Sequence, residues 1–166
     1  MFWKKLSSRY ILNSKWLKVR MDSVELPNGV IMDDYYVVEN NNVSLVVAVN
    51  DNNEILLKEE YRYAIDEHLT ELPGGTFELN ECDPLVVAQR ELLEETGYVS
   101  DQWELLYTNY DYPTKSTNHV NIYLAKGIRK VADQKLDISE EIDLKLVPIQ
   151  EAVNMCMNNT IKVNGS

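Results

Sequence analysis

The chain of 166 residues holds only two cysteines, Cys82 and Cys156, and two histidines. So sparse a set makes neither a disulfide framework nor a CxxC metal site, which points to a reducing cytosol. Positive charge is scarce too: 16 Lys and Arg stand against 27 Asp and Glu, a formal net charge of −11. Such a balance disfavours non-specific binding to nucleic acid or an anionic membrane, and any phosphate-bearing ligand would need a local cation. Long apolar runs are missing. The clearest, VSLVVAV at 43–49, falls far short of the roughly 20 residues that cross a bilayer. The opening MFWKKLSSRY carries charge with no apolar stretch behind it, so it does not read as a signal peptide. Six glycines and five prolines leave no Gly/Pro/Ser-rich linker, and no repeat or low-complexity tract cuts the chain into two full domains.

What is present is enough hydrophobic sequence, 45%, for one ordinary domain with its own core. The expected organisation is a small β-rich segment over residues 1–40 and a main domain over 41–166. WLKVRMDSVEL and VIMDDYYVVE alternate polar and apolar residues around the turn LPNGV at 26–30, which predicts a hairpin. VSLVVAVN and EILLKEEYRY, on either side of DNN at 51–53, predict a second, mostly buried hairpin, and Pro73-Gly74-Gly75 ends that pattern. From Pro84 to Thr96 the period becomes helical, with Leu85, Ala88 or Gln89, Leu92 and Thr96 on one stripe. Asp83 suits the N-cap, Pro84 the first helical position and Gly97 the C′ position. Strands are predicted at 103–112 and 119–128 around the polar loop PTKSTN, then a strand at 143–150 and a helix at 151–159. Strands interleaved with two helices mean a mixed α/β sandwich.

The first helix ends in RELLEETG. At about 100° per residue, Glu91 and Glu95 lie about 40° apart and Glu94 about 60° to the other side of Glu91, so all three project from one face. Like charges so placed repel unless a cation sits among them. Three hard oxygen ligands on one face form a partial shell for Mg²⁺ or Mn²⁺, which keeps waters and accepts phosphate oxygens as further ligands. A cation would thus answer both the repulsion and the need for a phosphate contact. The plainer alternative is a solvated acidic face in which Arg90 pairs with Glu94 at i,i+4.

Residues 75–98 resemble the signature of the Nudix hydrolases, G-x5-E-x7-R-E-U-x-E-E-x-G-U with U a bulky apolar residue. Gly75, Glu81, Arg90, Glu91, Leu92, Glu94, Glu95, Gly97 and Tyr98 fill it. In one departure, eight residues rather than seven separate Glu81 from Arg90. This reads as a one-residue insertion at Cys82, in a loop that absorbs it cheaply. The wider order, with EEYRYAIDEHLTELPGG before the box and YPTKSTNHVNIYLA and LDISEEIDL after it, is similar to the ADP-ribose pyrophosphatase-like branch.

That resemblance implies a Nudix-type α/β/α sandwich with a mixed β-sheet, and an N-terminal segment that builds a homodimer. It implies Mg²⁺-dependent hydrolysis, with Mn²⁺ as the alternative metal, of a nucleoside diphosphate linked to a second moiety. ADP-ribose, giving AMP and ribose 5-phosphate, is the first expectation. Another nucleotide sugar such as GDP-mannose, a dinucleoside compound or an oxidised nucleotide are the alternatives. By the same resemblance Glu91 and Glu95 are the main metal ligands and Glu94 supports the shell and the chemistry. The carbonyl of Gly74 or Gly75 completes that shell, while Gly75, Glu81, Arg90 and Gly97 are structural. A general base is expected within LDISEEIDL, at Glu140 or Glu141.

Substrate contacts are read from residue chemistry. Arg62 suits a phosphate or ribose, although it could equally end its strand in a surface ion pair. Lys115 and Asn118 suit phosphate or hydroxyls at the sugar end, against the plainer reading of an ordinary polar loop. Tyr35, Tyr36 and Tyr61 are candidates for stacking on a base, yet aromatic residues in strands more often pack a core. His119 sits where relatives often carry a glutamate and is a weaker catalytic candidate; Trp3 and Trp16 are expected within the N-terminal sheet. Two rival classes remain. A ligand-sensing Nudix domain is disfavoured by the intact Glu91, Glu94 and Glu95 and the lack of a DNA-binding segment. A purely structural protein would leave the carboxylate cluster without a cation.

Overall fold

The start of the chain forms a three-stranded antiparallel sheet of β1 (Lys4–Asn13), β2 (Lys18–Glu25) and β3 (Ile31–Glu39), in that order, with β2 and β3 following their alternating sequence. The computed structural model describes residues 2–163. It divides into two units: this sheet with Tyr110–His119, and Asn42–Asn109 with the chain from Val120 onward. The expected β2–β3 hairpin turns at LPNGV, where the Gly29 N–H donates to the Leu26 carbonyl at 2.9 Å. Strand β1 carried no periodic signal because all its residues are exposed, so neither face is selected for apolar side chains. Beside the buried Val24 of β2 and Val37 of β3, a polar network ties the unit together. Asp22, almost wholly buried, accepts from the Ser8 hydroxyl at 2.6 Å and from Arg20, whose guanidinium also reaches Glu39.

The second unit contains, apart from the terminal residues Tyr110 of β9 and His119 of β10, β4 (Val43–Val49), β5 (Glu54–Arg62), β6 (Glu67–Glu71), β7 (Gly74–Thr76), α1 (Pro84–Thr96), β8 (Tyr98–Val99), β9 (Gln102–Tyr110), β10 (His119–Lys126), β11 (Arg129–Lys130), β12 (Ile142–Pro148) and α2 (Ile149–Met157). Its main sheet runs β12-β5-β4-β10-β9, with β6 added beside β5 and β7 beside β4; β4 and β10 are parallel, and β5 is antiparallel to its neighbours. Successive strand side chains point to opposite faces, and the two hydrophobic clusters follow that rule. Val46, Ala48 and Leu56 pack with Ala88 and Leu92 of α1, whereas Leu45, Val47, Ile55 and Leu57 belong with Ala152 and Met155 of α2. The helices therefore cover opposite faces of one mixed sheet, the expected α/β/α sandwich.

The first helix begins and ends where its sequence signals lie. Asp83 is extended and its carboxylate accepts from the Leu85 N–H at 2.9 Å, Pro84 opens the helix, and Gly97 closes it at φ 74° with its N–H on the Leu93 carbonyl. Gly97 is also sterically required, since a Cβ there would come 2.1 Å from the Ala132 carbonyl oxygen. The buried stripe differs from the expected one: Val87 and Glu95 join Ala88, Leu92 and Thr96 inside, and Gln89 faces solvent. Short strands β6 and β7 were hidden by Pro73, which separates them and masks their alternation.

Candidate active site

Helix α1 places its charges where local physics disfavours them. Glu94 and Glu95 lie in its last turn, next to the negative end of the helix dipole, and no basic residue of that turn answers them. Arg90, one turn earlier, does much of the compensation. It donates to Glu81 through Nε at 2.9 Å and Nη2 at 3.0 Å, and to Glu94 through Nη1 at 3.1 Å. The same Nη1 pairs with Glu91 at 2.9 Å, and Nη2 reaches the Thr76 carbonyl at 3.2 Å. Arg90 thus ties the loop after β7 to the carboxylate face. Hydrogen bonding to Glu81 raises its already high pKa and holds the Glu81 carboxyl below its ordinary value. Glu81 makes this contact despite the extra residue, and Cys82 stands exposed in the loop behind it.

Glu95 is more deeply set. It is 4% exposed, its Oε2 accepts from the Gly74 N–H at 2.7 Å, and its Oε1 is hydrogen-bonded by the Lys58 ammonium, itself 2% exposed. Lys58 also pairs with Glu60 at 3.0 Å. Arg62 then extends the network, gripping Glu71 with Nε at 3.0 Å and with Nη2, and Glu60 with Nη1 at 2.8 Å. Burial alone would lower the Lys58 pKa, but Glu95 and Glu60 more than offset it and keep the ammonium charged. Burial pushes the Glu95 carboxyl up in spite of its partners. At Glu91, burial, partly opposed by Arg90 and reinforced by Glu95 and Glu94, raises the carboxyl to about 7.

These groups line a cleft of about 630 Å³ that also takes in Gly74, Gly75, Lys135, Asp137 and Glu140. Glu91, Glu94, Glu95, Gly74, Gly75, Arg90 and Arg62 are thus brought together. Of the two base candidates, Glu140 is half-buried in the lining, its carboxylate accepting from the Asp137 N–H at 2.8 Å, while Glu141 is exposed outside it. Other candidates have partners elsewhere. Lys115 lies over the Tyr35 ring at 4.7 Å, Asn118 is buried and accepts from Ser116, and His119 meets Tyr110 edge-on at 4.6 Å, all within the first unit. Trp3 also packs on Tyr35, Trp16 and Tyr36 are exposed, and Tyr61 donates to Asp66. The sequence reading passed over Lys58, Glu60, Glu71 and Gln134. The only available signal was Lys58 itself, a lysine set inside the apolar run EILLK.

Among the described residues no group of three His, Cys, Asp or Glu side chains stands ready-made for a metal. The donor chemistry nonetheless suits a hard divalent cation. Buried, mutually repelling carboxylates with one carboxyl raised to about 7 are relieved by positive charge. The Glu91 carboxylate is seated against Gly75, where a Cβ would come 2.4 Å from its Oε1. Glycine leaves room for the carboxylate in that position.

The NUDIX domain model matches residues 40–162, and the model of the nucleoside diphosphate sugar hydrolase N-terminal domain matches residues 3–38. The chain belongs to the Nudix hydrolases. Within them it falls in the ADP-ribose pyrophosphatase-like branch. Relatives of this Nudix chain include the methanol dehydrogenase activator of Bacillus methanolicus, 34% identical with 90% of this chain and 80% of the relative covered. The ADP-ribose pyrophosphatase of Mycobacterium tuberculosis is 32% identical, with 94% and 75% covered. The crystal structure of an ADP compounds hydrolase superposes with a TM-score of 0.86 over 98% of this chain and 87% of that one, at 19% identity. That likeness establishes the Nudix fold alone.

Proposed function

We propose that the chain is a divalent-metal-dependent pyrophosphohydrolase of ADP-ribose, using Mg²⁺, or Mn²⁺ in its place, to release AMP and ribose 5-phosphate. The observation that carries this reading is the meeting of Glu91, Glu94, Glu95 and the Gly74-Gly75 turn with Glu140 in one cleft. Glu91, Glu94 and Glu95, with the carbonyl of Gly74 or Gly75, would hold the cation. When bound, such an ion neutralises diphosphate oxygens and acidifies water. Lys58 and the Gly74 N–H hold the Glu95 carboxylate in place. Arg90 holds Glu91 and Glu94. Glu140 takes a proton from the attacking water, whose oxygen bonds one phosphorus as the bridging P–O bond breaks and the bridging oxygen leaves with the other phosphate. Arg62, gripped through all three nitrogens by Glu71 and Glu60, would meet a ribose hydroxyl through an N–H that they leave over. The chain works as a cytoplasmic homodimer through its N-terminal sheet, where Leu6, Tyr10, Ile11 and Leu12 of β1 are exposed.

The test is release of AMP and ribose 5-phosphate from ADP-ribose with and without Mg²⁺, beside GDP-mannose and other nucleotide sugars. Metal-dependent cleavage, with ADP-ribose preferred and Glu91→Gln at least about 100-fold slower, is expected. Preference for another nucleotide sugar overturns the substrate, and no turnover of any overturns the reaction.

A further inference from the structure

A diphosphate entering this cleft meets a strongly acidic lining: Glu60, Glu71, Glu78, Glu91, Glu94, Glu95, Asp137 and Glu140 stand against four basic residues, Lys58, Arg62, Arg90 and Lys135. Three of the four are already committed to carboxylates. Lys58 is buried between Glu95 and Glu60, Arg62 is held by Glu71 and Glu60, and Arg90 by Glu81, Glu91 and Glu94. Their charge is largely spent on the protein's own anions, so they add little pull on a phosphate.

Lys135 differs. Its backbone is fixed, because its N–H donates to the Glu94 carbonyl at 2.7 Å. The preceding Gln134 side chain donates to the Glu95 carbonyl at 2.8 Å and the Ile142 carbonyl at 3.1 Å. The bonds to Glu94 and Glu95 fasten this segment to the last turn of the carboxylate helix, and the bond to Ile142 ties it to β12. The Lys135 side chain is exposed, lines the cleft and, among the described residues, has no ion-pair partner there. Of the carboxylates along its own loop, Asp133 pairs with Lys130, Asp137 lines the cleft without an ion pair to Lys135, and Glu140 accepts from the Asp137 N–H at 2.8 Å.

We propose that Lys135 is a substrate-binding residue that contacts a phosphate of the diphosphate through its ammonium. The assignment rests on the reading of the cleft as a nucleoside-diphosphate site. A compact ammonium on a flexible stem suits this task, since it can follow a phosphate oxygen while the backbone stays pinned. Gln134 acts as a positioning residue, fixing the point from which the stem extends.

The experiment is calorimetric binding of an α,β-methylene analogue of ADP-ribose, with Mg²⁺, to the whole chain and to its Lys135→Met and Lys135→Arg variants. Lys135→Met is expected to bind about tenfold more weakly, the low end for a hydrogen bond between charged groups because the lysine is exposed. Lys135→Arg, which keeps the charge, stays within about threefold, and the melting temperatures of both variants match that of the parent. Equal affinity of parent and Lys135→Met overturns the proposal. If the parent does not bind the analogue, the proposed substrate fails, and the same comparison is made with inorganic pyrophosphate and Mg²⁺. Tenfold weaker binding of pyrophosphate by Lys135→Met then still supports the lysine, and equal or absent binding by both proteins overturns it.

Discussion

Replacing Lys58 with methionine removes the one cation beneath Glu95 while roughly preserving side-chain volume. The parent lysine is 2% exposed and touches two carboxylates that are themselves 4% and 7% exposed, Glu95 and Glu60. Breaking one partner out of a buried ion pair leaves uncompensated charge and destabilises by about 3–5 kcal/mol. For a chain of this size each kcal/mol moves the melting temperature by about 2–4 °C, so Lys58→Met should melt roughly 6–20 °C lower in calorimetry at pH 8. The loss should shrink towards pH 5.5. Burial raises the Glu95 carboxyl, and without the ammonium that opposes this the folded state binds more protons there and gains stability as pH falls. In the double variant Lys58→Met with Glu95→Gln, one of the two stranded charges is gone, and the melting temperature should recover part of the way. A drop of under about 2 °C at pH 8, with no pH dependence, would refute the account of Lys58 as the cation that neutralises the site from below.

Glu95→Gln by itself should cost about 2–4 kcal/mol of stability as well as activity, because the amide leaves Lys58 half-paired; thermal melts beside turnover separate the two effects. Gly97→Ala should destabilise by about 3 kcal/mol or more, measured by urea unfolding, because it adds a methyl at positive φ against a backbone carbonyl. Deleting Cys82 should leave a folded, soluble protein with a melting temperature within about 3 °C of the parent, since the residue is exposed in a loop; loss of folding would place the extra residue elsewhere. In the first unit, burial raises the Asp22 carboxyl but Ser8 and Arg20 outweigh it, so its folded pKa is lowered. Its contribution is therefore present above the unfolded value, about 4, and is lost as pH falls through the lower folded value; Asp22→Asn should flatten that acid limb in tryptophan fluorescence.

Most of the fold was legible because its signals are local. Asp83, Pro84 and Gly97 bound α1 through capping chemistry that needs no tertiary information, and the alternation of β4 and β5 persists because one residue in two faces each helix. Strand β1 escaped notice because both its faces are exposed, and β6 and β7 because they are short and joined through Pro73. The acidic half of the site could be read from helical spacing. Its basic half could not: Lys58 and Arg62 lie 37 and 33 positions before Glu95 in the chain, and a strand period cannot say which carboxylate lies across from them.

The arrangement of Glu95 follows from that division of labour. A glutamate in the last turn of a helix, beside Glu94 and Glu91, is opposed by the helix dipole, by like charge and by burial. The sheet supplies what the helix lacks. Strand β5 brings Lys58 up to one carboxylate oxygen, and β7 brings the Gly74 N–H to the other at 2.7 Å. Both donors come from strands that pair with β4, so the position of Glu95 is set by the sheet as much as by the helix that bears it. Glu91 has no such strand-borne cation: Arg90, on its own helix, pairs with it, and its carboxyl remains raised to about 7. The two glutamates are thus unequal in what they still require. Glu95 has much of its charge answered by the protein, whereas Glu91 keeps the larger unmet demand for positive charge, which makes Glu91→Gln the sharper probe of cation binding and Glu95→Gln the sharper probe of the scaffold.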